Sequence, residues 1–283
     1  MRAAEISAWV SLRIGDLASV AGCKGEYSDP PGDSQNVAIL GRLGYINNLC
    51  GNDRLARRRP VVAIDGPAGS GKTTTAKLVA ERLGFIHLDT GAMYRAVTLK
   101  VLRSGIDLSD LEEITGLLES TRVSLEAGEQ RARILLDGED VTAEIRSPEV
   151  TRLVSRVSSL RPVREAMVRE QRRMGRDGGI VLEGRDIGTV VFPDAEVKIF
   201  LSADLDERVR RRLAELSTQG MSASAGELRR EIQERDRMDS TREQSPLRRA
   251  TDAIELDTSR LSVEEQVQLV TEHVRAMIKE EGQ

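Results

Sequence analysis

Aromatic residues make up 2% of this 283-residue chain: three Phe, three Tyr and one Trp. A core this poor in rings must be assembled from Leu, Ile, Val and Ala. Cysteine is as scarce. The two present, Cys23 and Cys50, fall short of a disulfide framework, and a chain of this length does not need one. A reducing cytoplasmic setting is the simplest expectation. Histidine is limited to His87 and His273, and no cysteine follows Cys50, so a Cys/His metal site in the main body is excluded. His87 is expected to serve strand packing. No apolar run reaches the ~20 residues of a transmembrane helix. Neither sign of charge dominates: 42 basic residues face 46 acidic ones, leaving a net charge of −4. Nothing global therefore points to nucleic acid or an anionic membrane surface.

What is present is glycine at particular places. Val61-Val62-Ala63-Ile64-Asp65 is an apolar run fit for a buried strand, and a helical pattern opens at Thr73. Between them Gly66-Pro67-Ala68-Gly69-Ser70-Gly71-Lys72-Thr73, continuing to Thr74, fits G-x-x-x-x-G-K-S/T, the phosphate-binding loop. Glycine lets the backbone pass close to an anion, so that successive N–H groups and the positive end of the following helix point at phosphates. Lys72 can reach the β- and γ-phosphates, and the Thr73 hydroxyl can ligate Mg²⁺. The segment predicts binding of a nucleoside triphosphate.

Residues 1–58 read differently from the rest. Ser28-Asp29-Pro30-Pro31-Gly32-Asp33-Ser34 and Asn47-Asn48 are turn signals, and the segment closes in Arg57-Arg58-Arg59 and Pro60. It has neither a sustained period nor the apolar stretch and cleavage site of a secretory signal. Residues 1–58 are expected to be a poorly ordered extension dispensable for chemistry. From Val61 onward strands and helices alternate. Helices are predicted over Thr73–Leu83 (closed by Gly84), Ala92–Arg103 (closed by Gly105), Leu111–Leu118, from Ser147-Pro148, from Pro162 to Met174, over Asp206–Leu216 and Ala225–Arg237, and after the capping box Ser262-Val263-Glu264-Glu265. Strands are predicted at Phe85–Leu88, Ile180–Leu182, Val197–Leu201 and Ala253–Leu256. The stretch from Arg122 to Ile145 breaks the alternation; its period of two and its Asp137-Gly138 turn predict a small antiparallel insert. The expected fold is α/β, a parallel sheet covered by helices on both faces, with that insert and a helical lid.

The acceptor of the phosphoryl group must be read from the other loops. Thr90-Gly91-Ala92-Met93-Tyr94-Arg95 and Gly184-Arg185-Asp186-Ile187-Gly188-Thr189 each follow a strand, and ligands of open α/β sheets sit beyond the carboxyl ends of strands. Arg95 and Arg185 are thus poised over the crevice that holds Lys72. A second cluster, Arg208, Arg210, Arg211 and Arg212 with Arg235, Arg237, Asp239 and Arg242, is dense in cations. Phosphoryl transfer relies on positioning and charge neutralisation, and an Arg-rich helical pair closing over nucleotide would supply both.

From about Pro60 to the C-terminus the chain resembles the bacterial cytidylate (CMP) kinases, of the P-loop nucleoside monophosphate kinase family. The resemblance is carried by Ile64 to Lys72, Leu88 to Arg95, Leu136-Asp137-Gly138-Glu139-Asp140-Val141, Gly184 to Ala195, and Glu234-Arg235-Asp236. It implies transfer of the γ-phosphoryl group of ATP to CMP, and to dCMP, with Mg²⁺ as cofactor. It also implies a domain over residues 59–283: a core of 59–90, 178–205 and 250–283, a monophosphate-binding region with insert over 91–177, and a lid over 206–249. By the same resemblance Ser155, Arg164 and Asp186 contact cytosine. Arg95, Arg185 and Arg242 contact the monophosphate, Arg235 and Asp239 the sugar, and Thr90 joins the acceptor site. Lys72, Arg185, Arg211 and Arg212 are the catalytic set. Asp186 could accept from the exocyclic amine that uracil lacks. A cytoplasmic monomer is expected. Two alternatives stay open: a P-loop kinase for AMP, UMP, shikimate or dephospho-coenzyme A, and a nucleotide-binding switch, although the switch motif N-K-x-D is absent.

Overall fold

The computed structural model describes residues 59–126, 133–218 and 220–280. The extension expected over residues 1–58, with both cysteines, lies outside them. Strand β1 (Val61–Asp65) is buried along its whole length. It is flanked by β6 (Ile180–Gly184) and β7 (Val197–Ser202), and the outer positions go to β2 (Ile86–Asp89) and β8 (Ile254–Asp257). The order is β2-β6-β1-β7-β8, and every pair is parallel. Parallel strands need crossovers, and crossovers put helices on both faces, so the central strands read as unbroken Val, Ile and Leu.

The pleat of β1 divides the apolar interior in two. Val61 and Ala63 face a core shared with Leu88 of β2 and with Met93, Val97, Val154 and Val163 from helices α2 (Thr90–Ser104), α4 (Pro148–Ser159) and α5 (Arg161–Met174). Val62 and Ile64 face the opposite core, where Ala76 and Val79 of α1 (Lys72–Leu83) meet Val267, Val270 and Val274 of α8 (Val263–Glu280). Helix α3 (Leu111–Glu119) seals the first core through Ile114. Helices α6 (Leu205–Thr218) and α7 (Ala225–Thr241) form a small third core around Val209, Leu216, Leu228 and Ile232.

The antiparallel insert is present as β3 (Val123–Glu126), β4 (Arg133–Leu136) and β5 (Glu139–Asp140). Its turn uses Asp137 at φ 52° and Gly138 at φ 90°, the left-handed pair that suits a two-residue hairpin. Caps fall where expected: Gly84 and Gly105 close α1 and α2 in left-handed conformations, and the Ser147 hydroxyl accepts from Val150 N. Two expectations are corrected. Helix α7 runs to Thr241 rather than stopping near Arg237, because a final turn bearing only Met238 as an apolar residue carries no period to read. The stretch after Arg185 is not a plain loop either. Ile187–Val191 winds as one wide helical turn, pinned by the Asp65 carboxylate, which accepts from Ile187 N and Gly188 N at 2.8 Å each.

Candidate active site

The carboxyl end of β1 opens into the phosphate-binding loop, and α1 leaves from it. Gly66, at φ 150°, has no room for a side chain, since a Cβ there would strike the carbonyl of Leu201. Gly69, at φ 78°, lies under Arg208, whose Cβ would be 3.1 Å from an added methyl. Lys72 is folded back over the loop, its Nζ donating to Pro67 O at 2.6 Å and reaching Ser70 Oγ at 3.4 Å. Burial, then the nearby Arg185 guanidinium, push its pKa well below the ordinary lysine value. Of the residues expected to bind nucleotide, Ala68, Gly69, Gly71, Lys72, Thr73 and Thr74 line a cleft of about 830 Å³. Gly66, Pro67 and Ser70 do not line it. They hold the loop from behind.

The same cleft is walled by Arg95, Arg185, Arg211, Arg212 and Arg235. Arg95 Nη1 donates to Ile145 O at 3.2 Å and to Thr151 Oγ1 at 2.9 Å, fixing the guanidinium without neutralising it. Arg211 is committed to Glu207 (2.8 Å) and to Thr258 O (2.6 Å), and Arg212 pairs with Glu215 at 2.6 Å. The two arginines expected in the lid therefore border the cleft already engaged with protein partners. Hydrogen bonds from Arg210, together with those from Arg211, pull the Glu207 carboxyl down to about 2 against its partial desolvation.

A smaller cavity of about 70 Å³ adjoins it and shares Gly91, Gly184, Arg185 and Arg235 with the cleft. Its lining includes Thr90, Ser155, Arg164, Asp186, Asp239 and Arg242. Every residue expected at the acceptor site except Arg95 thus faces this one space, and Arg95 faces the cleft beside it. The cavity is strongly charged. Buried Arg164 donates to Asp186, holds Ser158 O at 3.2 Å, and lies 5.5 Å from the centroid of the Tyr94 ring. Arg185 Nε donates to Asp239 Oδ2 at 2.7 Å. Burial works against the Asp239 carboxylate, yet Arg185 and Arg235 outweigh it and hold its pKa below the usual range. Burial and Arg185 bring Arg235 down to about 10, and burial pushes the Tyr94 phenol up to about 12. Arg242, expected on the monophosphate, donates through Nε to Ser245 O at 2.6 Å and faces Asp186 Oδ1 at 3.6 Å. Its Nη2 has no hydrogen-bond partner among the described residues.

These two adjoining spaces belong to a chain whose residues 62–276 match the family model described as cytidylate kinase. The chain is a member of the cytidylate kinase family. A cytidylate kinase from Pelotomaculum thermopropionicum is 51% identical over 218 residues, covering 77% of this chain and 96% of that one. Another, from Caldicellulosiruptor bescii, is 49% identical over 220 residues, covering 78% and 97%. A bifunctional pantoate ligase/cytidylate kinase from Synechococcus sp. (strain JA-3-3Ab) is 51% identical over 228 residues, 80% of this chain and 42% of that protein. The chain thus spans less than half the length of its bifunctional relatives.

The cytidylate kinase cleft also contains residues that sequence reasoning passed over. Glu183, the last side chain of β6 before Gly184, is buried and accepts from Thr73 Oγ1 at 2.7 Å. Asp89 caps α2 by accepting from Ala92 N at 2.9 Å. Burial and then Glu183 raise its pKa. Arg146, at the end of a 3₁₀ turn (Glu144–Arg146), lines the cleft near Arg95, and its side chain forms no hydrogen bond or ion pair among the described residues. A carboxylate ending an otherwise apolar strand was the available signal for Glu183. Arg146 had none, because its cleft position depends on how the insert folds back. His87, expected to pack, instead holds Glu183: Nε2 is 3.0 Å from Oε1.

No group of three or more His, Cys, Asp or Glu side chains able to cage a metal occurs among the described residues. The Thr73 hydroxyl and Glu183 carboxylate are hard oxygen donors at the lip of the phosphate loop. That donor set fits Mg²⁺, which keeps its waters and relies on one or two protein groups plus nucleotide phosphates.

Proposed function

We propose that this cytidylate kinase family member transfers the γ-phosphoryl group of ATP to CMP, and to dCMP, yielding the nucleoside diphosphate and ADP. The observation that carries the reading is the junction of the two spaces: a phosphate-loop cleft and a base-and-sugar cavity meet at Arg185 and Arg235. Donor and acceptor phosphates brought in from opposite sides would face each other there. The acceptor phosphate oxygen, already anionic, attacks the γ-phosphorus. The bond to the bridging oxygen breaks, and ADP leaves with the electron pair. No general base is needed, so the chain's contribution is alignment and neutralisation.

Lys72 and the loop N–H groups hold the donor phosphates, and Arg95, Arg185 and Arg242 the acceptor phosphate. Arg211 and Arg212 leave their carboxylate partners for the transferring group. Arg235 and Asp239 take the sugar, while Thr90, Ser155, Arg164 and Asp186 hold the rest of the acceptor. Thr73 and Glu183 would hold Mg²⁺, which supplies charge neutralisation at the β/γ oxygens when bound. The smaller cavity, at about 70 Å³, is well below the ~300 Å³ at which pockets accept drug-sized ligands. Acceptor entry therefore requires its walls on α4 and α7 to part.

Residues 59–283 carry this activity as a cytoplasmic monomer, with residues 1–58 outside the chemistry. The test is chromatography of products formed from γ-labelled ATP, Mg²⁺ and CMP or dCMP, using the full chain and a chain begun at Arg59. Labelled CDP and dCDP from both chains is the expected result. Label released only as phosphate would overturn the transfer.

A further inference from the structure

Glu183 is held from two sides, and only one of them belongs to the phosphate loop. Its Oε2 accepts from Thr73 Oγ1 at 2.7 Å, and its Oε1 lies 3.0 Å from His87 Nε2. The Glu183 side chain is 5% exposed and the His87 ring 20%. An ionised carboxylate only accepts, so the Nε2 facing it carries the proton. The sheet register explains the contact. Asp89 of β2 is paired across from Glu183 of β6, and His87 across from Val181. His87 therefore lies two positions back on the face Glu183 shares, within diagonal reach. Asp89, half-buried on that face, is a second carboxylate repelling Glu183.

We propose that His87 is a positioning residue for the metal–nucleotide site, acting through Glu183 to fix the Thr73 hydroxyl at the phosphate loop. The inference rests on the kinase reading above. Without a donor at Oε1, Glu183 keeps one buried oxygen without a partner and can turn away from Asp89, taking the Thr73 hydroxyl with it. A side chain of simple packing value at position 87 would need only apolar volume. His87 supplies a donor instead, on a strand otherwise bounded by exposed Ile86 and buried Leu88. Partners that orient metal-binding groups typically change metal affinity 10–100-fold when removed.

The test compares the full chain with His87→Leu, which keeps volume and loses the donor, and His87→Gln, which keeps an N–H donor. ADP is titrated calorimetrically into each protein with Mg²⁺ and, separately, with EDTA. His87→Leu should weaken ADP binding about tenfold in Mg²⁺ and leave the EDTA value unchanged. His87→Gln should recover most of the loss. The half-saturating Mg²⁺ concentration for CMP phosphorylation should rise with the Leu variant while the KM for CMP holds. Equal weakening with and without Mg²⁺, a Gln variant as impaired as Leu, or no change in either would overturn the proposal. If the Leu variant does not fold, His87→Asn, whose amide is too short to reach Oε1, takes its place. A wild-type chain with no CMP turnover would defeat the kinase reading, while the Mg²⁺-dependent ADP titration would still decide the His87 contact.

Discussion

At the scale of the residue, the site is governed by buried charges whose partners are other buried charges. Asp186 shows the consequence. Its role as a reader of the cytosine amine came from resemblance, but its carboxylate is also the partner of Arg164, both being almost fully buried. Deleting one member of such a pair strands the other and costs about 3–5 kcal/mol. An alanine at position 186 would therefore confuse base reading with loss of fold. Asp186→Asn keeps the volume and one acceptor. It is expected to lower kcat/KM for CMP by at least tenfold while changing the value for UMP far less, as read from initial rates with both acceptors. Equal loss on both would remove Asp186 from base reading. Arg146 poses the opposite case, a cleft cation whose side chain makes no hydrogen bond or ion pair among the described residues. Since it has no partner to strand, Arg146→Ala should leave the melting temperature within a degree or two of wild type. It should lower kcat by roughly tenfold, the ~1.4 kcal/mol expected of one lost charge-assisted contact.

At the scale of the element, the β1 terminus does two jobs. Its backbone feeds the phosphate loop, and Asp65 ties down the turn that follows Arg185 and Asp186. Burial raises the Asp65 pKa from the usual 3.8 to about 6, outweighing the two N–H bonds that favour the carboxylate. Between those values the folded chain holds a proton that the unfolded chain has released, so the group's contribution to stability is lost as pH rises from about 4 to about 6. At 1.36 kcal/mol per pKa unit this amounts to about 3 kcal/mol. Urea unfolding across that range should show the stability of wild type relative to Asp65→Asn falling by that order as pH rises. A difference that stays constant with pH would contradict the assignment.

The elements also show what could be read in advance. The phosphate loop, the glycine caps, the Ser147 and Ser262 caps and the insert's hairpin turn were legible because each is set by residues adjacent in sequence. The end of α7, the wide turn at Ile187–Val191 and the Glu183–His87 contact were not, because each is decided by a partner more than ninety positions away or by a stretch with no apolar period. The arginines lie between these cases. Their number was plain, but their division into paired (Arg211, Arg212) and unneutralised (Arg95, Arg146) depends on which carboxylates the fold brings near.

At the scale of the whole molecule, a parallel sheet aims its loops at one edge, and the arginines of α6, α7 and the turn that follows the insert converge there with Lys72. That convergence is the physical basis of the central claim, that the chain passes a phosphoryl group from ATP to a cytidine monophosphate. The measurement that tests it most directly is the rate of ADP formation from ATP and Mg²⁺ with CMP, dCMP, UMP, AMP, shikimate or no acceptor. Fast turnover is expected with CMP and dCMP, slow turnover with UMP, and rates at the level of the acceptor-free reaction for AMP and shikimate. Turnover on AMP or shikimate equal to that on CMP, or ADP formation indifferent to any acceptor, would contradict it.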